Sequence, residues 1–395
     1  MTDTTSESSG NKGPAFFSYG FRPFFLGAAL FAGVAIPVWV LLLAGTSHAN
    51  FSYAPREWHV HEMLFGFLPA VIAGFLFTAM PNWTGRPRIK GMPLMLLWTL
   101  WLAGRLVMAT PWLPLVASAL VDGAFLVAVT IIVWREIVIG KAWDRAPIGL
   151  LISLYASANL FFHELVLGGA ATDLSERMAL AVIMMLLALI GGRVTPSFTL
   201  DFLSEQNRSE QPPPFSRLDG VSILLAVIAA VAWTALPEAL GTGWLLVAAG
   251  LVNLVRLSRW YGWVAWREPL VLILHLGYGW LAMSWLFLGG AIIGMGLRAT
   301  DAVHALTTGA VGAMTLAIMT RASLGHTGRP RHAGAMTVMI YLLVNLGAVL
   351  RVFGPATALS TPLMLGLSAM AWSGAYVLFA LVYGRYLLLP SLDGD

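Results

Sequence analysis

Stretches of about 20 apolar residues follow one another through almost the whole chain, and this pattern constrains the fold more than any other feature. An α-helix needs roughly 20 mostly apolar residues to cross the hydrocarbon core of a bilayer. The sequence contains twelve such stretches, at 24–44, 58–80, 92–109, 114–135, 148–168, 178–199, 219–236, 241–258, 269–291, 301–321, 334–353 and 361–384. We therefore predict an all-α integral membrane protein with about twelve transmembrane helices.

The composition supports this fold class and excludes several kinds of site. Hydrophobic residues make up 58% of the chain and charged residues only 11%, against roughly 25% charged residues in a typical soluble domain. Cysteine is absent, which excludes disulfides, thiolate metal ligands, cysteine-ligated iron–sulfur clusters and covalently attached c-type haem. Any metal must therefore be held by histidine, methionine or carboxylate ligands, and nothing in the sequence indicates a nucleic-acid partner.

The basic residues predict how the chain crosses the membrane. Cytoplasmic connections carry an excess of lysine and arginine. With a cytoplasmic N-terminus, the odd-numbered connections carry only Arg56, Arg177 and Arg298. The even-numbered connections then carry Arg86, Arg88, Lys90, Lys141, Arg145, Arg208, Arg217, Arg259, Arg267, Arg329 and Arg331. We expect both termini to be cytoplasmic, with a disordered tail at 1–18, a single polytopic domain at 19–395 and a cytoplasmic loop at 203–220.

An internal repeat relates the second and tenth predicted helices. HEMLFGFLPAVIAGFLFTAMPNWTGRP, which begins at His61, aligns without a gap with HALTTGAVGAMTLAIMTRASLGHTGRP, which begins at His304. The alignment pairs Gly66 with Gly309 and the two TGRP motifs with each other. The sixth helix is a candidate third copy, because RVTPSFT at 193–199 corresponds to RASLGHT at 321–327. This period predicts three four-helix units.

Six histidines are candidate metal ligands. His59, His61, His163 and His304 fall near the predicted periplasmic ends of their helices, whereas His275 and His326 fall toward the cytoplasmic side. A lone histidine at this depth is more often a polar residue at the level of the lipid headgroups. Four at one depth, two of them equivalent by the repeat, favour metal ligation instead.

Helix geometry restricts how these histidines can act together. Residues two apart on an α-helix point roughly 200° away from each other, so His59 and His61 are expected to face different sites. His61 and His304, at matching places on related helices, are a natural pair of axial haem ligands. Glu62 and Glu164, each next to a histidine, are candidate catalytic carboxylates that orient rings or relay protons.

Several arginines lie within or at the ends of the predicted helices, where a buried guanidinium needs an anion. Haem propionates would serve, which makes Arg105, Arg351, Arg193 and Arg321 candidate cofactor-binding residues. Two alternatives remain open. Arg105 could pair with Asp122, and Arg193 and Arg321 could extend to the lipid headgroups.

Five motifs resemble those of the NnrS family of bacterial membrane proteins: YGFRPFFL (19–26), WHVHEMLFGF (58–67), MPNWTGRP (80–87), GGRVTPSFT (191–199) and TRASLGHTGRP (320–330). The resemblance runs across essentially the whole chain. It implies about twelve transmembrane helices, bound haem and copper, and a part in nitric oxide metabolism or tolerance. The histidine motifs of the family fall on His59, His61, His304 and His326. Haem–copper oxidases offer a further analogy, at the level of the fold only.

These observations lead to one main expectation and one alternative. We expect a protein of the bacterial inner membrane that binds haem b and copper and carries out redox or binding chemistry on nitric oxide or metal–nitrosyl species near the periplasmic side. His61 and His304 would hold haem, His59 and His163 copper, and His275 with His326 a second, cytoplasmic-side site. The alternative is a secondary transporter of a metal or a metal–nitrosyl complex.

Overall fold

The computed structural model describes residues 14–46 and 51–392. This part of the chain is helical, without strands. Twelve long helices cross the molecule: α1 (Phe21–Leu43), α2 (Pro55–Thr84), α3 (Met92–Met108), α4 (Leu115–Ile139), α5 (Ala146–Leu167), α6 (Asp173–Glu205), α7 (Arg217–Ala235), α8 (Leu240–Ser258), α9 (Pro269–Ile292), α10 (Ala299–Gly325), α11 (Ala335–Phe353) and α12 (Thr361–Leu388).

The predicted fold class is confirmed. Within the described residues, eleven of the helices are at least 18 residues long and apolar enough to cross a membrane, and α3 is a shorter apolar helix of 17 residues. Large apolar side chains such as Val34, Leu120 and Leu381 are more than 60% exposed. Such a surface is expected to contact lipid, because the membrane removes the cost of exposing it.

Helices that follow one another in the chain also pack together, and α1 packs against α12. The most buried helices are α2, α6, α9 and α10. In each of them, 67–78% of the most apolar 18-residue stretch is buried. Of these, α2, α6 and α10 run in the same direction through the middle of the bundle; the internal repeat relates α2 to α10, and α6 is its candidate third copy. The candidate functional side chains lie on and around them.

Each of these three helices contains a π-helical segment, at Glu62–Phe67, Leu187–Gly191 and Ala305–Val311. The segments in α2 and α10 begin at aligned positions, one residue after His61 and His304. The segment in α6 begins at Leu187, which aligns with Thr315 and so lies further along its helix. A π segment inserts a residue into the helical ladder, changes the direction of the side chains around it, and is frequent at functional sites.

Side chains from neighbouring helices donate to carbonyl groups at all three π segments. Trp101 Nε1 donates to the carbonyl of Gly66 at 2.9 Å in α2, and Trp372 Nε1 donates to that of Thr308 at 3.2 Å in α10. In α6 the donor is Arg256, whose Nη1 lies 3.1 Å from the carbonyl of Ala188. A buried carbonyl without a partner is costly, so these donors stabilise the irregular helices.

Two predicted boundaries differ from the structure. The loop predicted at 203–220 is shorter, because α6 continues to Glu205 and α7 already begins at Arg217. Ser216 and Asp219 form a capping box at the start of α7, which satisfies the free backbone N–H groups of its first turn. In the predicted tail, residues 1–13 lie outside the described part of the chain, and Ala15–Phe17 form a 3₁₀ turn with Phe16 against Trp98.

Candidate metal centre

The two histidines of the WHVHEM motif face different surroundings, as the helical spacing predicts. His61 is fully buried and packs with Phe65, Phe162 and His163 toward α5. His59 is partly buried and lines a pocket between α1, α2, α6, α10, α11 and α12. Two candidate sites therefore lie at the same end of the bundle, one on each side of α2. We call them the buried cluster and the histidine pocket.

The buried cluster is centred on Asp122 of α4. Its Oδ2 atom lies 3.2 Å from Nε2 of His61 and 3.0 Å from Nε2 of His163, so two imidazoles converge on one carboxylate oxygen. All three residues are buried, and their potential ligand atoms lie within 4.8 Å of one another. Two imidazoles and a carboxylate are a donor set that binds transition metals.

Arg105 of α3 joins the two carboxylates of the cluster. Its Nη1 donates to Glu62 Oε2 at 2.6 Å, and its Nη2 donates to Asp122 Oδ1. Gly66 makes this approach possible, because a β-carbon there would collide with the Arg105 guanidinium. Of the two roles left open for Arg105, the structure therefore shows the ion pair with Asp122.

The outer nitrogen of each histidine in the cluster also has a polar partner. Nδ1 of His61 lies 2.9 Å from Glu62 Oε1, and Nδ1 of His163 bonds the hydroxyl of Tyr53. Burial and the nearby carboxylates of Asp122 and Glu62 raise the pKa of Tyr53, so its hydroxyl keeps its proton and donates to His163. Such partners behind the ligating nitrogens are typical of metal-binding histidines, because they fix the ring orientation.

The hydrogen bonds of His61 call for one further proton or one bound cation in the cluster. Nδ1 faces the acceptor Glu62, and Nε2 lies 3.2 Å both from Asp122 Oδ2 and from the Oδ1 atom of Asn159, which are acceptors too. A neutral imidazole has only one N–H, so a lone pair would face an acceptor. Two carboxylates and one guanidinium leave the cluster one negative charge in excess. A proton on His61 or on Glu62, or a bound cation, satisfies both conditions.

The histidine pocket contains His59 and His304. Its volume is about 190 Å³. The His59 ring stacks on Trp39 with centroids 4.6 Å apart and an angle of 9° between the planes. Nδ1 of His304 donates to the carbonyl of Thr300 at 2.6 Å, which leaves the lone pair of its Nε2 available for a metal.

Two ion pairs involve residues that line the histidine pocket. Glu176 of α6 accepts two hydrogen bonds from Arg56 of α2, at 2.9 and 3.1 Å. Arg351 of α11 lies 3.7 Å from Asp301 Oδ1 of α10. The longer distance leaves the Arg351 guanidinium more available to an anionic group in the pocket than the Arg56 guanidinium, which is already paired with Glu176.

The other predicted site residues lie away from both sites. Nε2 of His275 bonds Thr199 Oγ1 at 2.9 Å, whereas the ring of His326 contacts Tyr19 and Phe21, so these two histidines share no partner. Arg321 packs over Phe198 and lies 3.6 Å from Asp201 Oδ2. Two further predicted residues, Arg193 and Glu164, are exposed.

Four residues of the two sites were not identified from the sequence. Tyr53 and Asn159 belong to the buried cluster, and Trp39 and Glu176 to the histidine pocket. Asn159 is a polar residue in the middle of an apolar helix, a signal that could have identified it. The other three lie in a connection or near a helix end, where tyrosine, tryptophan and glutamate are common for other reasons.

The fold and the two sites define a multi-pass membrane protein that contains a buried histidine–aspartate cluster of the kind that can bind a metal. A family model described as NnrS protein matches residues 15–391, nearly the whole chain. The chain therefore belongs to the NnrS family, which confirms the resemblance seen in its motifs. A search of curated proteins found no significant match.

Proposed function

We propose that this protein binds haem b in the histidine pocket and copper in the buried cluster, and that it acts on nitric oxide at the pocket. The observation that carries the proposal is that His59 and His304, from two repeat-related helices, line one pocket. Membership in the NnrS family supports the link to nitric oxide and metals.

The donors in the pocket fit haem. Two imidazoles are suitable axial ligands, and His304 already has the backbone hydrogen bond that orients a ligating ring. Arg351 would hold a propionate. About 190 Å³ of the pocket is free between these side chains. When bound, haem would supply a redox-active iron, to which nitric oxide would gain access on release of one of the two histidines.

This proposal changes the haem ligands predicted from the sequence. His61 does not line the pocket, and its ring nitrogens point to Glu62, Asp122 and Asn159. We therefore assign His59, with His304, as a haem ligand. We assign His61, with His163, as a copper ligand.

The charge of the buried cluster favours a monovalent ion. The cluster lacks one positive charge when both histidines are neutral and both carboxylates are ionised, and a divalent ion would then leave an excess positive charge next to Arg105. Copper(I) supplies the single charge, and imidazole is a suitable ligand for copper. In the metal-free protein, a proton on His61 has the same electrostatic effect.

Of the two predicted catalytic carboxylates, we propose that Glu62 handles protons. It is buried and bonded to both His61 and Arg105. Glu164 is exposed and has no polar contact with either site among the described residues. We further propose a location in the bacterial inner membrane, with both termini cytoplasmic and both sites toward the periplasm, on the basis of the asymmetry in basic residues.

The centre of the bundle makes the transporter a weaker candidate. Between α2, α6 and α10 the cavity below the histidine pocket is lined almost entirely by aliphatic and aromatic side chains. A metal ion or a charged complex that crossed the protein there would lose its hydration without gaining polar ligands, which is very costly.

The test uses full-length protein expressed with haem and copper supplied and purified in detergent. We expect bound haem and copper, a reduced-minus-oxidised difference spectrum, and a change in that spectrum when nitric oxide is added to the reduced protein. Absence of both metals from the purified protein would overturn the proposal. Metal uptake into vesicles without any reaction of nitric oxide would favour the transporter.

A further inference from the structure

A second cavity lies at the centre of the molecule, lined mainly by α2, α6 and α10. Its volume is about 90 Å³. Residues Leu68 and Val71 of α2, Ile183 and Leu186 of α6, and Val311 and Met314 of α10 line much of it. We call it the central cavity.

The lining of the central cavity provides too few hydrogen-bond partners to hold a water molecule. Among the described residues that line it, only Thr315 has a polar side chain. Its hydroxyl donates to the carbonyl of Val311 at 2.7 Å and lies 2.8 Å from the Tyr376 hydroxyl. A buried water needs two to four polar partners, whereas an apolar cavity of about 150 Å³ stays dry and binds benzene or xenon. The central cavity, at about 90 Å³, is smaller than that, but a diatomic molecule is also much smaller than benzene.

The central cavity and the histidine pocket are consecutive along the same three helices. On α2 the lining passes from Leu64 in the pocket to Leu68 in the cavity, and on α6 from Leu180 to Ile183. On α10 it passes from Thr308 to Val311. A step of three or four residues is about one helical turn, so the two linings occupy successive turns of each helix, and the apolar side chains of those turns separate the two spaces.

The lining is less tightly buried at the other end of the central cavity. Leu68, Ile183 and Val311, next to the histidine pocket, are buried. At the far end, Phe75 and Ile318 are only partly buried. The cavity is thus closed toward the pocket by apolar side chains and less tightly closed at its far end. Uncharged gases dissolve readily in the hydrocarbon that surrounds such a bundle.

We infer that the central cavity is a binding site for an uncharged diatomic gas, nitric oxide, on a path from the membrane interior to the histidine pocket. This inference rests on the proposed function. Rotation of a few apolar side chains is enough to open the separating layer to a diatomic molecule, whereas water and ions are excluded by the lining. The cavity would concentrate the reactant beside its site and keep protons and metal ions apart from that path.

The test fills the cavity and measures two properties. Val71→Phe places a larger side chain in the cavity; Val34→Phe is the matched control, because Val34 lies on α1 with 62% exposure. We expect xenon NMR to show saturable binding to the wild type and to Val34→Phe but not to Val71→Phe. Filling the cavity should also slow the association of nitric oxide with the haem roughly tenfold, the rate effect of an added barrier of about 1.4 kcal/mol.

Either of two results would overturn the inference. Absence of saturable xenon binding to the wild type would mean that the cavity does not accept a small apolar guest. Loss of xenon binding in Val71→Phe with an unchanged rate of nitric oxide association would place the cavity off the path. Failure of the proposed function can be told apart from failure of this inference. If the wild type binds no haem, the proposed function fails, but xenon binding to the cavity can still be measured.

Discussion

Replacement of Arg105 tests how the buried cluster is held together. Its side chain is 5% exposed and those of Glu62 and Asp122 are each 1% exposed, and Arg105 forms ion pairs with both. Arg105→Met keeps the length and packing of the side chain but leaves two carboxylates with, at most, the protons of His61 and His163. Removal of one partner from a buried ion pair costs about 3–5 kcal/mol, and we expect a loss of this size in the free energy of unfolding.

The assay is unfolding of the purified protein in mixed micelles with increasing dodecyl sulfate. Arg208→Met is the control, because Arg208 pairs with Glu210 on the exposed loop after α6, and no measurable change is expected there. Asp122→Asn added to Arg105→Met removes one of the two carboxylate charges and should recover at least half of the loss. A loss of less than about 1 kcal/mol, the range of surface pairs, would refute this account of the cluster.

Arg105→Met also tests the charge argument for a monovalent ion. The variant cluster has two negative charges in excess instead of one, so a divalent ion becomes better matched. Added Zn²⁺ should therefore raise the unfolding free energy of the variant, by about 2.7 kcal/mol at a hundred times its dissociation constant, and raise that of the wild type much less. Equal stabilisation of the two proteins would contradict the charge balance that we assign to the cluster.

Three further substitutions probe the two sites and the helix between them. Tyr155→Phe removes the hydroxyl that donates to the carbonyl of Leu64 in the π segment of α2, and the buried carbonyl should lower the unfolding free energy by about 1–3 kcal/mol in the same micelle assay. Gly66→Ala should displace the Arg105 guanidinium and reduce copper binding, measured as copper per protein; unchanged copper would count against the cluster as the copper site. Arg351→Gln should increase the rate of haem loss to apomyoglobin, because one propionate would lose its cation, and an unchanged rate would argue against that contact.

Much of the fold follows from the sequence because lipid imposes simple constraints. The twelve apolar stretches correspond to the twelve helices, since every backbone polar group in the membrane must be satisfied within its own segment. The π segments could not be predicted, because they depend on donors such as Trp101 and Trp372 that come from other helices. Apolar stretches do not always show where a helix begins. The start of α7 is set by the Ser216–Asp219 capping box, in a polar part of the sequence.

The candidate site was predictable in its residue types but not in its pairing. The spacing of His59 and His61 correctly predicts that they face different surroundings. Which of them faces His304 depends on the direction in which α2 presents each ring, and the π segment beginning at Glu62 changes that direction. The repeat aligned His61 with His304 and so favoured the pair that the structure does not bring into one pocket.

The central claim is that the two histidines of WHVHEM serve two different metals, and haem and copper contents of single variants test it most directly. Our account predicts that His59→Ala loses haem and keeps copper, that His61→Ala keeps haem and loses copper, and that the exposed His326→Ala keeps both. Loss of haem from His61→Ala together with its retention in His59→Ala would restore the pairing of His61 with His304 and contradict the account.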